Sequence, residues 1–246
     1  MTTKSYYSNI ILGDAPWAYW RLGEASGNLN DATGNGRSIT VSSATGLTYS
    51  VAGPLVHDPD TAMSSDGTNS TQAYTATALY APWTFECWAK PNTTANNAVA
   101  GSRFSSNGWD MQLDVSGGKV HCDLGDGGST WYNTAADATV TWGSGWHHIV
   151  LVVSSGTYWI YFDGVQAATG STTGGALTDS SHQVGLFGSG SGNPRYNGSV
   201  DECAIWLSNL TAAQIYQHYE AGKASFARGV PDRDRRYTAA MRSAVY

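Results

Sequence analysis

The sequence predicts an all-β protein, a two-sheet antiparallel β-sandwich with one short C-terminal helix and a basic tail. Three observations lead there. In residues 146–164, WHHIVLVVSSGTYWIYFDG, two apolar runs flank Ser154-Ser155-Gly156-Thr157 and the second closes at Asp163-Gly164, which reads as a hairpin. On the second run Tyr158, Ile160 and Phe162 alternate with Trp159 and Tyr161, so both faces need cover and the hairpin belongs inside a sheet rather than at its edge. Across 246 residues, 29 glycines and only 13% charged residues suit many short strands joined by tight turns, while 41% apolar and 12% aromatic content supplies a sizeable core.

The elements follow in order. Residues 6–22 start as a short helix, break at Gly13-Asp14-Ala15-Pro16 and resume as an aromatic strand over 17–22. Residues 46–78 are Ser/Thr-rich. In the strand 83–90, Trp83, Phe85, Cys87 and Ala89 share one face and Thr84, Glu86, Trp88 and Lys90 the other. Further strands read over 109–115, 120–124, 130–134, 182–187 and 200–207, bounded by Gly or Asp-Gly turns at the spacing of roughly ten residues usual in sandwiches. Thr211 with Gln214 forms a capping box for a helix over 211–221, Leu210 and Ile215 form a hydrophobic staple, and Gly222 is expected to end the helix.

Cys87, Cys122 and Cys203 are odd in number and form no CxxC pair, which argues against a disulfide framework or a structural zinc site. Cys87 and Cys203 are expected in the core, with a bridge between them as the alternative. No apolar run reaches the roughly 18 residues of a membrane span, so no membrane insertion is expected. The first residues lack an apolar stretch of signal-peptide length, which points to synthesis in the cytoplasm. Residues 1–223 carry 8 Lys/Arg against 17 Asp/Glu, a net −9, and residues 224–246 carry 5 Arg against 2 Asp, a net +3. The acidic body excludes a general nucleic-acid binder.

The run W-H-H-[IV]-x(n)-[IY]-Y-x-D-G over 146–164 resembles the signature hairpin of laminin-G-like jelly rolls, in the superfamily of concanavalin A-like lectins and glucanases. WTFECWAKP at 83–91, YNGSVDE at 196–202 and the helix at 211–221 fit the same pattern in order, so the resemblance spans roughly 6–222, and AMSSDG at 62–67 resembles the family's turn before the next strand. The opening, with YWRLGE at 19–24 and DATGNG at 31–36, is similar to that of actinobacterial phage structural proteins carrying this jelly roll. The resemblance thus implies a jelly-roll domain over 1–222, a basic extension over 223–246, and a place in a virion as a minor tail or decoration protein.

Chemistry is sparse. Glucanases on this fold resemble one another in an E-x-D-x-x-E strand, and none of the four Glu here begins that motif. Asp201-Glu202 alternates faces on a regular strand and does not converge on one bond, and His147 and His148 point to opposite faces, so no catalytic residue is assigned and no enzyme is expected. The Asp31 loop is a candidate Ca²⁺ site if Asp201 supplies a second carboxylate; the competing reading is an Asx turn. Ten Trp and 14 Tyr are the positive signal, because aromatic rings stack on the apolar faces of sugars. Trp88, Trp159 and Tyr161 face away from the main apolar set of their strands, and Trp109, Trp131, Tyr132 and Tyr196 lie beside turns. These seven are the candidate ligand contacts, against the alternative that they fill the core. Arg228, Arg233, Arg235, Arg236 and Arg242 are expected to order on a partner surface during assembly. The expected function is a non-catalytic virion protein, present in many copies, that binds host-surface glycan; the alternative is a structural subunit without a glycan site.

Overall fold

The computed structural model describes residues 5–41, 43–55, 58–68, 71–73, 78–93, 98–103, 107–115, 117–178, 184–189 and 195–224. The five tail arginines assigned to assembly lie outside the described residues. The order is α1 (Tyr6–Gly13), β1 (Ala18–Trp20), β2 (Leu47–Val51), β3 (Ala62–Asp66), β4 (Thr71–Ala73), β5 (Leu79–Tyr80), β6 (Trp83–Pro91), β7 (Ala98–Gly101) and β8 (Asn107–Val115). It continues with β9 (Lys119–Gly128), β10 (Trp131–Thr139), β11 (His147–Val153), β12 (Gly156–Phe162), β13 (Val165–Thr172), β14 (Ala176–Thr178), β15 (Val184–Leu186), β16 (Asn197–Trp206) and α2 (Ala212–Ala224).

Two antiparallel sheets make the sandwich. One runs β13-β12-β11-β6-β16-β3-β2, with β1 paired to β16 beyond the reach of β3; the other runs β10-β9-β8-β7-β15-β4. The predicted hairpin is β11–β12, inside the larger sheet because β6 flanks β11 and β13 flanks β12. Asp163 and Gly164 both adopt positive φ, 49° and 76°, and join β12 to β13 with Phe162 opposite Val165, the backbone of a two-residue turn that follows strand twist.

The inner faces meet in a core where Trp109 of the smaller sheet lies 4.9 Å from Trp83 and 5.3 Å from Phe85 of the larger, ring to ring. Cys87 and Cys203 are there too, as free thiols, and Cys122 is a third buried free thiol. The alternation in β6 places Trp83, Phe85, Cys87 and Ala89 inward, as expected. Its other face carries Trp88 into a second apolar layer with Val150, Val152, Tyr161, Ala204 and Trp206, closed by Tyr7 and Ile11 of α1 and Ile215 and Ala221 of α2. Two helices therefore cover the outer face of the larger sheet.

Some expectations need correction. The capping box forms, with the Gln214 amide donating to Thr211 Oγ1 at 3.3 Å and Thr211 N–H donating to Gln214 Oε1 at 3.0 Å, but the helix runs through Gly222 to Ala224. Gly222 is a close-packing position, because any side chain there would overlap the Trp88 ring. Residues 62–66 form β3 rather than a turn, and the Ser/Thr-rich stretch also supplies β2, whose weak apolar pattern matches its place at the end of the sheet. β13 escaped notice for the same reason: VQAATGST has few branched or aromatic residues and terminates the opposite end.

Candidate functional site

Strand alternation in the smaller sheet sends Trp109, Met111, Leu113, Val120, Cys122, Leu124, Ala136 and Ala138 into the core, so the residues between them face outward. Those residues are polar. Pairing sets Asp110 opposite Asp123 and His121 opposite both Gln112 and Asp137, and Arg103 follows β7 to reach the same face. The result is a connected row of charges. Arg103 Nη1 lies 3.1 Å from Asp110 Oδ2 and 2.9 Å from Asp123 Oδ2; His121 Nε2 is 3.2 Å from Asp123 Oδ1, and His121 Nδ1 is 2.5 Å from Asp137 Oδ1; Lys119 Nζ reaches Asp137 Oδ2 at 2.7 Å. Gln112 donates to Asp110 Oδ1 at 3.2 Å. Trp131 stands at one end, with the Arg103 guanidinium 4.7 Å over its ring.

The electrostatics follow from this geometry. Hydrogen bonds that the His121 ring donates to Asp123 and Asp137 outweigh burial and push the imidazole up to about 9, so it is an imidazolium at neutral pH. Burial, with the facing Asp123 charge, raises the Asp110 carboxyl, while Gln112 and Arg103 act in the other direction. Burial also works against the Asp137 charge, yet Lys119 and His121 hold that carboxyl below its ordinary value. Every carboxylate in the row is engaged by an internal cation.

A family model, the concanavalin A-like lectin/glucanases superfamily, matches residues 63–216, more than half of the chain, with strands from both sheets of the sandwich. The chain belongs to that superfamily. Among solved structures, this concanavalin A-like domain is similar to domain 4 of AbnA, a GH43 extracellular arabinanase from Geobacillus stearothermophilus, in complex with arabinotriose. That likeness has a TM-score of 0.57 at 18% identity, over 82% of this chain and 97% of that one. It is also similar to the botulinum neurotoxin serotype D ligand binding domain in complex with N-acetylneuraminic acid, with a TM-score of 0.61 at 13% identity, over 88% of this chain and 52% of that one. A third is the binding domain of Paraclostridial Mosquitocidal Protein 1, with a TM-score of 0.61 at 15% identity, over 85% and 52%. These identities show the fold. No curated protein matches the chain.

Within this concanavalin A-like domain the seven aromatic candidates separate. Trp109 and Tyr196 are fully buried between the sheets, and Trp88 and Tyr161 are buried beneath the helices, so these four are structural and are corrected as ligand contacts. The physical reason is that a strand's second face, free in the sequence, is covered by α1 and α2. Trp159 is half-buried against that same layer. Trp131 is half-buried and Tyr132 is exposed, both on β10, and Trp131 joins the charge row. Sequence reading missed Arg103, Asp110, Gln112, His121, Asp123 and Asp137. The signal was present: D-x-Q in β8 and H-x-D in β9 interleave polar residues with a strict apolar alternation.

The structure does not bring Asp31 to Asp201. Asp31 accepts from the backbone N–H of Tyr19, Thr33 and Arg37 and from Thr33 Oγ1, an Asx turn, and β1 stands between it and β16. Asp201 is buried beside Glu202, and β16 is irregular there, with a register shift between Asp201 and Ala204 and Glu202 at φ 52°. Both acids therefore turn toward one cluster with Arg21, contrary to the strict alternation expected of a regular strand. Arg21 Nη2 lies 2.8 Å from Glu202 Oε1 and 2.7 Å from Asp58 Oδ2, and Tyr19 donates its hydroxyl to Glu202. Burial raises the Asp201 carboxyl well above its ordinary value, the Glu202 charge adding to it. Among the described residues, no group of three or more His, Cys, Asp or Glu is arranged to hold a metal ion.

The histidine pair divides as strand geometry requires. His147 Nδ1 meets Asp163 at 2.9 Å, with its ring stacked on Phe162, while His148 is buried with Nε2 3.0 Å from Glu86. Glu86 also accepts from the Tyr7 hydroxyl at 2.9 Å and pairs with His218 Nδ1 at 2.8 Å, and His218 Nε2 reaches Asp14 at 3.0 Å. This hub ties both helices to the sheet; Tyr7, Glu86, His148 and His218 are fully buried in it, and it is structural.

Proposed function

We propose that this domain is a non-catalytic carbohydrate-binding module of a virion structural protein, a minor tail or decoration protein, with the outer face of its smaller sheet as the contact surface. The observation that carries the binding reading is the row Arg103–Asp123–His121–Asp137–Lys119 with Trp131 at its end: a solvent-facing set of fixed polar groups beside an aromatic ring is the equipment of a saccharide site. The solved structures with arabinotriose and N-acetylneuraminic acid on related folds support it. The non-catalytic reading is supported by the state of the carboxylates. Asp110 is fully buried, and Asp123 is shared between Arg103 and His121, so neither is placed as an acid or nucleophile at a glycosidic bond.

The virion reading rests on the opening at 19–36 and the separate basic tail at 224–246. Weak contacts repeated over many copies on one particle would give avidity without turnover. The test is a pull-down of the purified protein on host cell-wall polysaccharide, with reducing-sugar release followed in parallel, and localisation in a purified particle by electron microscopy. Binding without release, at an outward position, is expected; sustained sugar release would overturn the non-catalytic reading. The burial of Trp88, Trp109, Tyr161 and Tyr196 favours the second reading, a structural subunit without a glycan site, and absence of any polysaccharide binding would select it.

A further inference from the structure

We propose that Cys87 and Cys203 are the two halves of a redox staple: on oxidation by a low-molecular-weight disulfide they close a cross-strand bond between β6 and β16, while Cys122 stays a free thiol. All three are free thiols in the structure.

The bulge in β16 builds the pair. Val200 stands opposite Ala89 and Asp201 opposite Trp88, and pairing resumes with Ala204 opposite Glu86, so Glu202 and Cys203 together occupy the place opposite Cys87. Had β16 continued regularly from Asp201, Glu202 would face Cys87, and Cys203 would stand opposite Glu86 on the outer face of the sheet. The extra residue, with Glu202 at φ 52°, turns Cys203 inward instead, into the core that Cys87 already faces. Ile149 flanks Cys87 on β11 and Trp20 flanks Cys203 on β1, so apolar side chains enclose both thiols.

Neighbouring antiparallel strands bring facing α-carbons to about 4.5–5.5 Å, inside the roughly 4.4–6.8 Å that a disulfide spans. Closing the bond therefore asks for side-chain rotation rather than movement of the sheet. The sulfurs already interact: burial pushes the Cys203 thiol well above its ordinary value, and a hydrogen bond with Cys87 adds to the rise. Cys122 is placed otherwise. It belongs to β9 of the opposite sheet, between Met111 and Ala136, and facing sheets lie about 10 Å apart, too far for a bridge.

Both thiols are fully buried, so exchange starts when β16 is open, during folding or local unfolding. A Cys203 thiolate then attacks glutathione disulfide, and one glutathione leaves as a thiolate with the electron pair of the broken S–S bond. As the strands pair, the Cys87 sulfur loses its proton and displaces the second glutathione, leaving the Cys87–Cys203 bond. Two protein thiols thus give up two electrons and two protons, and one glutathione disulfide becomes two glutathione thiols. The bridge joins adjacent strands inside the larger sheet whose cysteines are far apart in the chain, so it closes a long loop and restricts the unfolded state. Where the surroundings keep thiols reduced the sheet relies on packing alone; where they are oxidising it is stapled.

The test holds the full chain at its urea unfolding midpoint, with reduced glutathione alone or with glutathione disulfide, and then returns it to buffer. After glutathione disulfide, thiol titration in denaturant should fall from three groups per chain to one, the two of the bridge being lost. Proteolysis should yield a linked pair of peptides containing Cys87 and Cys203, and the urea midpoint should rise by on the order of 1 M. Cys122→Ala should keep that rise, while Cys87→Ala and Cys203→Ala should each abolish it; for a variant that does not fold, the linked peptides of the unchanged chain decide. Three titratable thiols after oxidation, a bond that involves Cys122 or a second chain, or a linked chain with a lower urea midpoint than the reduced one would overturn the inference.

Discussion

Gly222 of α2 lies so close to Trp88 of β6 that a methyl group at its α-carbon would overlap the indole ring. The helix needs this approach because Trp88 is wedged between Tyr7, whose hydroxyl accepts from its Nε1 at 3.1 Å, and the Tyr219 ring stacked 6.0 Å away. Gly222→Ala gains about 1 kcal/mol of helix propensity but forces an overpacking cost of about 1–3 kcal/mol. A net destabilisation of up to about 2 kcal/mol is expected by urea unfolding; a stabilised variant would mean that α2 shifts freely over the sheet.

Glu86 is the charge on which the second layer is organised. Burial opposes its ionisation, but His218 and His148 hold its carboxyl well below the ordinary range. Glu86→Gln keeps the shape and removes the charge, leaving two buried imidazoles without their anion, and should cost about 3–5 kcal/mol. Tyr7→Phe, which removes only one hydrogen bond to Glu86, should cost about 1 kcal/mol. Denaturant titration of both variants checks the order; similar losses would show that the hub is not electrostatic.

Stability should fall at alkaline pH. The folded His121 pKa is raised from 6.5 to about 9, so the folded chain binds the proton more tightly than the unfolded one, and its contribution is whole below about pH 6.5 and lost as pH rises through about 9. His121→Gln should flatten that decline in melting temperature between pH 6.5 and 9.

Glu202 acts at lower pH. Burial outweighs Arg21 and Tyr19 and pushes its carboxyl from 4.5 to about 7, so its contribution weakens as pH climbs from 4.5 through about 7. Glu202→Gln should remove that dependence in thermal scans across pH 4–7, at the expense of the Arg21 ion pair.

Calcium is tested by melting temperature with and without EDTA. The carboxylate of Asp31 already accepts four hydrogen bonds, so no change on EDTA addition is expected, and Asp31→Ala should cost about 1–3 kcal/mol as partly buried donors lose their partner. A fall in melting temperature that Ca²⁺ reverses would restore the calcium-site reading of the Asp31 loop. The tail has a parallel test: a chain ended after Ala224 should keep its melting temperature and lose partner assembly, since the capped helix already closes the apolar layer.

The sequence alone determined the sandwich, the β11–β12 hairpin, the Asp163-Gly164 turn that follows β12, the two faces of β6 and the capping box of α2. These are local: alternation along one strand, a turn's backbone and a cap's hydrogen bonds depend on residues a few positions apart. Tertiary structure decided the rest. Period-2 alternation states that Trp88 and Tyr161 leave the core face, and the aromatic second face of the hairpin asks for cover, but neither says that two helices supply it. The register shift in β16 likewise overruled the strict alternation expected of Asp201 and Glu202. The charge row depended on pairing between strands: Asp110 meets Asp123, and His121 meets Asp137, only because β8, β9 and β10 align in one register, and electrostatic energy depends on distance in space rather than separation along the chain.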